Sequence, residues 1–188
     1  MKAALLIIDM QETFLDETSS HFLKKGREVI PHVQKLQNFF REKNLPVIFV
    51  KRLHRGAVDV DKPRIPIADT FAKIGTKGAN IIEELSPKED EIVITKKRFS
   101  AFFYTELELI LRRLGIDTLI LTGVQTPNCI RATAVDGLSY DYDVYIVSDG
   151  TASKTTEIQT ANLNDLKNMG AKIVNTEEMI DIIDRNSE

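Results

Sequence analysis

The sequence predicts an α/β fold of three layers, in which helices cover both faces of a central sheet of parallel strands. Short apolar runs recur along the 188 residues, and they are continuous rather than alternating, as strands buried on both faces require. Segments with helical spacing lie between most of these runs. This alternation is typical of β-α-β units with right-handed crossovers, and it indicates parallel strands.

Six apolar runs are the predicted strands of this sheet. The first and fourth, AALLIID and TLILTG, are the clearest examples, because they contain almost no charged residue before their last position. All six are short enough for strands and far too short to cross a membrane. They occupy residues 3–9, 46–50, 91–95, 118–123, 143–149 and 171–175.

The connection between the first two strands contains a predicted helix over residues 26–44. Its proline, Pro31, suits the first turn of a helix, where no backbone N–H is needed. The segment 51–76 is different, since it contains Pro63 and Pro66 and little periodicity. A connection of this length without regular structure indicates a functional loop or lid.

Two further helices are predicted by their end signals. Residues 105–115 begin with Thr105 and Glu108 at capping-box spacing and stop at a glycine. Residues 153–170 begin with Ser153 and also stop at a glycine. In both segments the end signals agree with the apolar periodicity between them.

Length, charge and cysteine content narrow the class of protein. We expect one compact domain over residues 1–188, because this length suits a single substantial core. The 25 basic and 28 acidic residues nearly balance, which argues against a nucleic-acid partner. A single cysteine cannot form an internal disulfide, and the N-terminal apolar run is too short for a signal peptide. We therefore expect a cytoplasmic protein without a membrane partner.

Three reactive side chains stand at the predicted carboxyl ends of strands. Asp9 ends the first run, Lys96 follows the third, and Cys129 opens the helix after the fourth. Each alone has an ordinary explanation, as a turn residue, a solvated lysine or a small buried thiol. Ligands of open α/β sheets bind at this edge, however, and the three together supply a carboxylate base, a cation and a nucleophile. The sequence therefore predicts a catalytic site at this edge.

The motifs around these residues resemble the isochorismatase-like cysteine hydrolases. The resemblance rests on LLIIDMQETF, on the segment from ITKKRFSAFF to TPNCIRATAVDG, and on VSDGTAS, so it spans nearly the whole chain. It implies a six-stranded parallel sheet ordered 3-2-1-4-5-6 and an Asp-Lys-Cys triad on Asp9, Lys96 and Cys129. Lys96 rather than Lys97 matches, because the family lysine lies four residues before the serine at Ser100.

The same resemblance implies how the carbonyl oxygen of a substrate is bound. It places a cis peptide bond at Val124-Gln125 and an oxyanion hole on the backbone N–H groups of Gln125 and Cys129. The chemistry agrees with this arrangement, since free N–H groups at a helix start can stabilise a developing oxyanion. We also expect the helix start and the Lys96 ammonium to lower the pKa of the Cys129 thiol. Asp9 then acts first as base and later as acid.

One branch of this family, the nicotinamidases, carries an Asp-x-His pair and a further histidine after the second strand, which bind a metal. This chain has KRLHRG there instead, and no two of its three histidines have the spacing of metal ligands. We therefore expect no metal and no other cofactor. Arg52 and His54 are candidate substrate-binding residues, as are Phe14 and Tyr104, where Tyr104 replaces a glycine common in the family motif.

The leading hypothesis is a metal-independent amidohydrolase that cleaves a small amide or ureido C–N bond through a thioester on Cys129. A vinyl-ether hydrolase of the isochorismatase type and a nicotinamidase are the alternatives within the family. A non-catalytic α/β binding module is the alternative from another class, although the chain has no glycine-rich phosphate loop. The resemblance also implies a homo-oligomer.

Overall fold

A computed structural model describes residues 1–186. Its centre is a sheet of six strands, all parallel, in the order β3-β2-β1-β4-β5-β6. The fold class and the strand order are therefore as the sequence and the resemblance predict. The strands are β1 (Ala3–Ile8), β2 (Val47–Arg52), β3 (Ile92–Lys96), β4 (Thr118–Val124), β5 (Asp143–Ala152) and β6 (Lys172–Val174).

The strands are continuous apolar runs because both faces of the sheet are covered. Every residue of β1 and of β4 is buried. Leu5 and Ile7 of β1 face one hydrophobic core, whereas Leu6 and Ile8 face the other. Successive side chains of a strand point to opposite faces, so an alternating pattern would have left one face polar.

Helices cover both faces of the sheet. The first core contains residues of α3 (Ile30–Glu42) and α7 (Thr176–Arg185). The second contains residues of α4 (Leu107–Leu114), α5 (Arg131–Ser139) and α6 (Thr156–Asn168). Two short helices, α1 (Glu12–Leu15) and α2 (Lys24–Glu28), lie between β1 and α3.

The predicted helix over residues 26–44 is two helices, because α2 ends and α3 begins at Val29. Pro31 is in the first turn of α3, as predicted. A proline in that position has no N–H to bond to the preceding turn, and its ring disfavours a helical conformation for the residue before it. The apolar periodicity crosses this break, so periodicity alone could not reveal it.

The two predicted helix starts were placed too early. Thr105 does not form a capping box, since α4 has Glu106 at its N-cap and the Thr105 hydroxyl accepts only from the N–H of Leu107, at 3.2 Å. Helix α6 is capped by Thr155 rather than Ser153, and the Thr155 side chain accepts from Ile158. Several residues that can cap a helix precede each start, and the sequence does not rank them.

Helix α7 was not predicted, although the sequence contains its start signal. Asn175 and Glu178 form a complete capping box, in which each side chain accepts from the other residue's backbone N–H. Met179 and Ile183 then face the first core. Spacing of Asn and Glu three residues apart before an apolar pattern is the signature that would have located it. Within residues 1–186, no helix has the length and apolar character needed to span a bilayer.

Candidate active site

The three predicted catalytic residues meet at the carboxyl edge of the sheet. Asp9 directly follows β1 and adopts a left-handed backbone conformation, with φ of 54°. Lys96 is the last residue of β3. Cys129 lies in a single π-turn, Thr126–Ile130, which joins β4 to α5. Because β1, β3 and β4 all point their carboxyl ends to one edge, residues far apart in sequence converge there.

Lys96 connects the other two side chains. Its Nζ donates to Oδ2 of Asp9 at 2.7 Å, to Sγ of Cys129 at 3.2 Å, and to the backbone oxygen of Arg98 at 3.2 Å. Asp9 and Lys96 are fully buried, and Cys129 is 5% exposed. An ion pair removed from water in this way is costly to build, so its presence beside the only thiol of the chain indicates a functional arrangement.

Close contact between β1 and β4 fixes the turn that carries the thiol. Gly123 has φ of +107°, and a Cβ atom there would lie 2.0 Å from the backbone oxygen of Ile8. Only glycine fits, so the backbone of β4 approaches the residue before Asp9. The peptide bond between Val124 and Gln125 is cis, as the resemblance implies.

The prediction that the Cys129 thiol has a lowered pKa is wrong for this structure. Burial raises its pKa from the ordinary 9.0 to about 11, and the negative charge of Asp9 raises it further than Lys96 lowers it. Removal of the sulfur from water disfavours its charged form. Cys129 is therefore a neutral thiol at rest, and its proton must be removed when it attacks.

Cys129 opens into a pocket of about 270 Å³. Asp9 and Gln125 also line it, together with two of the four predicted substrate-binding residues, Phe14 and Arg52. The Phe14 ring packs edge-on against Phe71, with 5.7 Å between centroids. The other lining residues are Ser20, His21, Phe22, Arg64, Ile67, Phe71, Phe99, Val124, Asn128 and Lys154.

Arg52 belongs to a group of charged residues beside the pocket, which we call the guanidinium cluster: Arg52, Arg64 and Asp61. The Asp61 carboxylate accepts from Nη2 of Arg52 through one oxygen and from Nη1 of Arg64 through the other. Arg52 is 1% exposed. Burial pulls the pKa of Asp61 upwards, but the two guanidinium charges outweigh it and hold this pKa below its usual value.

His54 does not line the pocket, contrary to the prediction, nor is it a surface residue. It is fully buried, stacks on Phe71, and accepts at Nε2 from Nε of Arg52 at 3.0 Å. Burial, followed by the charge of Arg52, lowers the pKa of His54 to about 4. His54 is therefore a neutral residue that holds Arg52 in position.

Tyr104 also lies outside the pocket. It is 94% exposed and lines a separate groove with Phe102, Phe103 and Tyr140. Its assignment to substrate binding is therefore wrong for this pocket. This tyrosine, which replaces the glycine of the family motif, projects to the surface. Its φ of 52° is in the left-handed region, which a glycine adopts without strain.

Sequence reasoning missed Arg64, Phe71 and Phe99. Arg64 lies on a 3₁₀ helix, Lys62–Ile67, inside the predicted functional loop, and Phe71 lies further along the same loop. The prolines indicated that this segment was unusual, but without periodicity nothing showed which side chains face inward. Phe99 stands within the quoted KRFSAF motif, three residues after Lys96, and this proximity was the available signal.

The residues after β2 do not fit a bound metal ion. A metal at His54 would need the lone pair of a ring nitrogen, but that of Nε2 accepts from Arg52, which leaves the ring proton on Nδ1. The guanidinium cation would also repel a metal cation. In the described part of the chain, no group of three His, Cys, Asp or Glu residues is arranged to hold a metal ion.

Comparison with known proteins agrees with this geometry. A family model described as the isochorismatase domain matches residues 3–178. A probable inactive nicotinamidase from Arabidopsis thaliana is 40% identical over 176 residues, which cover 90% of each chain. A solved structure of an isochorismatase family protein from Desulfovibrio vulgaris superposes with a TM-score of 0.93 at 36% identity, covering 97% of this chain and 98% of that one.

A third relative is known by its reaction. The structure of N-carbamoylsarcosine amidase from Thermoplasma acidophilum has a TM-score of 0.80 at 28% identity, and the match covers 94% of this chain and 97% of that one. The family model, the sequence relative and both structures cover nearly the whole chain. This protein therefore belongs to the isochorismatase family of hydrolases.

Proposed function

We propose that this protein is a metal-independent cysteine amidohydrolase that cleaves the C–N bond of a small amide or ureido compound. The observation that carries the proposal is the position of Lys96, whose ammonium contacts both Asp9 and Cys129 while the thiol faces a pocket. A nucleophile, a base and a cation within hydrogen-bonding reach are the parts that acyl transfer through a thioester needs.

The first half of the reaction forms the thioester. Asp9 takes the proton of the Cys129 thiol as the sulfur attacks the substrate carbonyl carbon, so the S–C bond forms on a neutral starting thiol. Lys96 stabilises the charge that develops on the sulfur. The protonated Asp9 then gives its proton to the leaving nitrogen, the C–N bond breaks, and ammonia or an amine departs. In the second half, Asp9 takes a proton from a water molecule as the water oxygen bonds to the thioester carbon, the C–S bond breaks, and Asp9 returns the proton to the sulfur as the acid leaves.

The oxyanion of the tetrahedral intermediate needs donors on the other side of the carbonyl carbon. The backbone N–H groups of Gln125 and Cys129 are the candidates. Both residues line the pocket at the same turn. The N–H groups of Asn128 and Ile130, the neighbours of Cys129, both donate to the Gln125 oxygen, at 3.0 and 3.3 Å, and these two bonds close the turn that carries Cys129.

The choice among related reactions rests on two features. The name of the N-carbamoylsarcosine amidase supports a C–N bond as the target. Nicotinamide hydrolysis is less well supported, because Arg52 occupies the lone pair that a metal at His54 would require. A homo-oligomer stays a prediction as well, and the exposed Phe103 and Tyr104 are its candidate contact residues.

A panel of small amides and ureido compounds, scored by ammonia release, tests the proposal. For each compound that is turned over, rapidly quenched reactions are examined by mass spectrometry. Because the chain contains one cysteine, any thiol adduct can only be on Cys129. We expect an acyl adduct on the wild type and no turnover by Cys129→Ala.

The contrary outcomes point to the alternatives. Turnover of these compounds that survives in Cys129→Ala, without an adduct on the wild type, would refute the thioester route. Hydrolysis of a vinyl ether by a protein that turns over none of the amides would indicate the isochorismatase-type alternative. Binding of panel compounds without any turnover would indicate a non-catalytic binding module.

A further inference from the structure

The chain leaves the regular ladder of the sheet at Asp9. In a parallel ladder, a residue donates its N–H to one residue of the neighbouring strand and accepts from the residue two positions further along that strand. Asp9 makes the first of these bonds, from its N–H to the Val50 oxygen at 2.8 Å. Its own oxygen instead accepts from the N–H of Gln11, also at 2.8 Å, because the chain turns at Asp9, whose φ is 54°. The backbone of β1 therefore leaves the end of β2 without its next partner.

The side-chain amide of Gln11 makes the bonds that this backbone gives up. Its Oε1 accepts from the N–H of Arg52 at 2.7 Å, as the Asp9 oxygen would in a regular ladder, and its Nε2 donates to the Arg52 oxygen at 2.9 Å. The second hydrogen of Nε2 binds the Ala79 oxygen, with 3.0 Å between the heavy atoms. Gln11 is fully buried, so every N–H of its amide has a protein acceptor in place of water.

These bonds reach both partners of the buried ion pair. Strand β2 lies between β1 and β3, so the Asp9 carboxylate meets the Lys96 ammonium across the end of β2. Arg52 is the residue of β2 that Gln11 holds, and it is the register partner of Lys96 in β3. Gln11 also holds the turn at Asp9 through its own N–H. One residue therefore connects the strand ends that carry the base and the cation.

We infer that Gln11 is a positioning residue, which sets the contact of the Asp9 carboxylate with the Lys96 ammonium by replacing one rung of the ladder between β1 and β2. A left-handed conformation is uncommon for a residue other than glycine, and it persists only where the surroundings hold it. Gln11 is not among the residues that line the pocket, so it acts through Asp9 and Arg52 and not on the substrate. This inference rests on the proposed function, in which Asp9 is the base.

The test replaces Gln11 by Met, which has a similar length and makes none of the three hydrogen bonds. In the wild type, burial and then the Asp9 charge raise the pKa of the Cys129 thiol. If the carboxylate is no longer held in place, alkylation of Cys129 at neutral pH should accelerate by about three- to tenfold. For any amide that the wild type turns over, kcat should fall by about 10- to 100-fold, because the base is misplaced.

The same substitution in the Asp9→Asn background separates positioning from a general structural role. There, Gln11→Met should change the alkylation rate by less than about twofold, because the charge that Gln11 positions is absent. An equal acceleration in both backgrounds, or none in either, would overturn the inference. The matched control is Gln37→Met, at a second buried glutamine, whose Nε2 donates to the Leu85 oxygen. It should lower the free energy of unfolding and leave the alkylation rate and kcat unchanged.

Two further measurements apply if Gln11→Met does not fold. Gln11→Asn keeps the amide on a shorter side chain and should accelerate alkylation in the same direction. In the wild type, NMR should detect a scalar coupling across the hydrogen bond from the Arg52 N–H to the side-chain carbonyl of Gln11. A coupling from that N–H to the Asp9 carbonyl would show a regular ladder and would overturn the inference. Alkylation and NMR need no substrate, so failure of this inference is separable from failure of the proposed function, which the adduct on Cys129 tests.

Discussion

Replacement of Asp9 by Asn should have opposite effects on the reactivity of Cys129 toward alkylation and on turnover. In the wild type, burial and the Asp9 charge raise the thiol pKa to about 11. Relative to the ordinary value of 9.0, this lowers the thiolate population at neutral pH by about 100-fold. Iodoacetamide should therefore modify Cys129 more slowly than it modifies a free thiol.

The Asp9→Asn variant removes a negative charge close to the sulfur and leaves Lys96 in place. Both Asp9 Oδ2 and Cys129 Sγ bind the Lys96 Nζ, at 2.7 and 3.2 Å, so they lie no more than about 6 Å apart. A unit charge at that range changes a pKa by ~1–3 units, so alkylation at neutral pH should accelerate about 10- to 1,000-fold. Turnover should instead fall by about 10²- to 10⁴-fold, because the base is lost.

The assay is the pH dependence of the alkylation rate, read by mass on the single cysteine. Lys96→Met should shift the rate in the opposite direction from Asp9→Asn, and Asp90→Asn, the same change at an exposed and distant aspartate, should have no effect. Circular dichroism confirms that each variant folds. If Asp9→Asn is alkylated no faster than the wild type, the conclusion that the Asp9 charge adds to the effect of burial on the thiol pKa is wrong.

Two further expectations concern stability. Gly123→Ala should lower the free energy of unfolding by more than about 3 kcal/mol or prevent folding, because its Cβ would lie 2.0 Å from the Ile8 oxygen. The control for backbone strain is Gly56→Ala, which has φ of +138° and no atom within 4 Å of its Cβ. An equal loss of stability in both variants, measured by urea unfolding, would refute the clash. His54 has a lowered pKa in the folded state, so the unfolded chain binds a proton first and the free energy of unfolding should fall as the pH drops from 6.5 to about 4. In His54→Gln the pH dependence of urea unfolding should be shallower over that interval, and an unchanged slope would contradict the buried neutral histidine.

The strands and the candidate catalytic residues were predictable for one physical reason. A strand buried on both faces needs a continuous apolar run, so the first polar residue after the run marks the edge of the sheet. Asp9, Lys96 and Cys129 were located by that rule, with the resemblance to support it. The apolar run does not give the exact end of the strand, however. Strand β2 extends to Arg52, two residues beyond the predicted end at residue 50.

The electrostatic state of the site was not predictable from the sequence. The presence of Lys96 and a helix start near Cys129 suggested a lowered pKa, but the direction depends on burial and on the distance to Asp9, which only the folded structure gives. The guanidinium cluster was hidden for a similar reason. Arg64 and Asp61 belong to a loop without periodicity, and the bonds of Asp61 with Arg52 and with Arg64 arise only when the loop folds.

The hydrogen bonds of Lys96 identify which group moves the proton. Its Nζ has three acceptors, Asp9, Cys129 and the Arg98 backbone oxygen, and only a charged ammonium has three N–H groups to donate. In the proposed reaction these three contacts keep the N–H groups of Lys96 engaged, and Asp9 carries the proton. Its Oδ1 is buried without a hydrogen-bond partner among residues 1–186, so that oxygen is free to receive it.

The third bond of Lys96 also links the candidate catalytic residues to the guanidinium cluster. The backbone of Lys97 accepts from Arg52, the backbone of Arg98 accepts from Lys96, and the Phe99 ring contacts both guanidinium groups of the cluster. Consecutive residues after β3 therefore position both the Lys96 ammonium and the guanidinium cluster. A displacement of this short segment would therefore disturb the contacts of Lys96 and those of the guanidinium cluster at once.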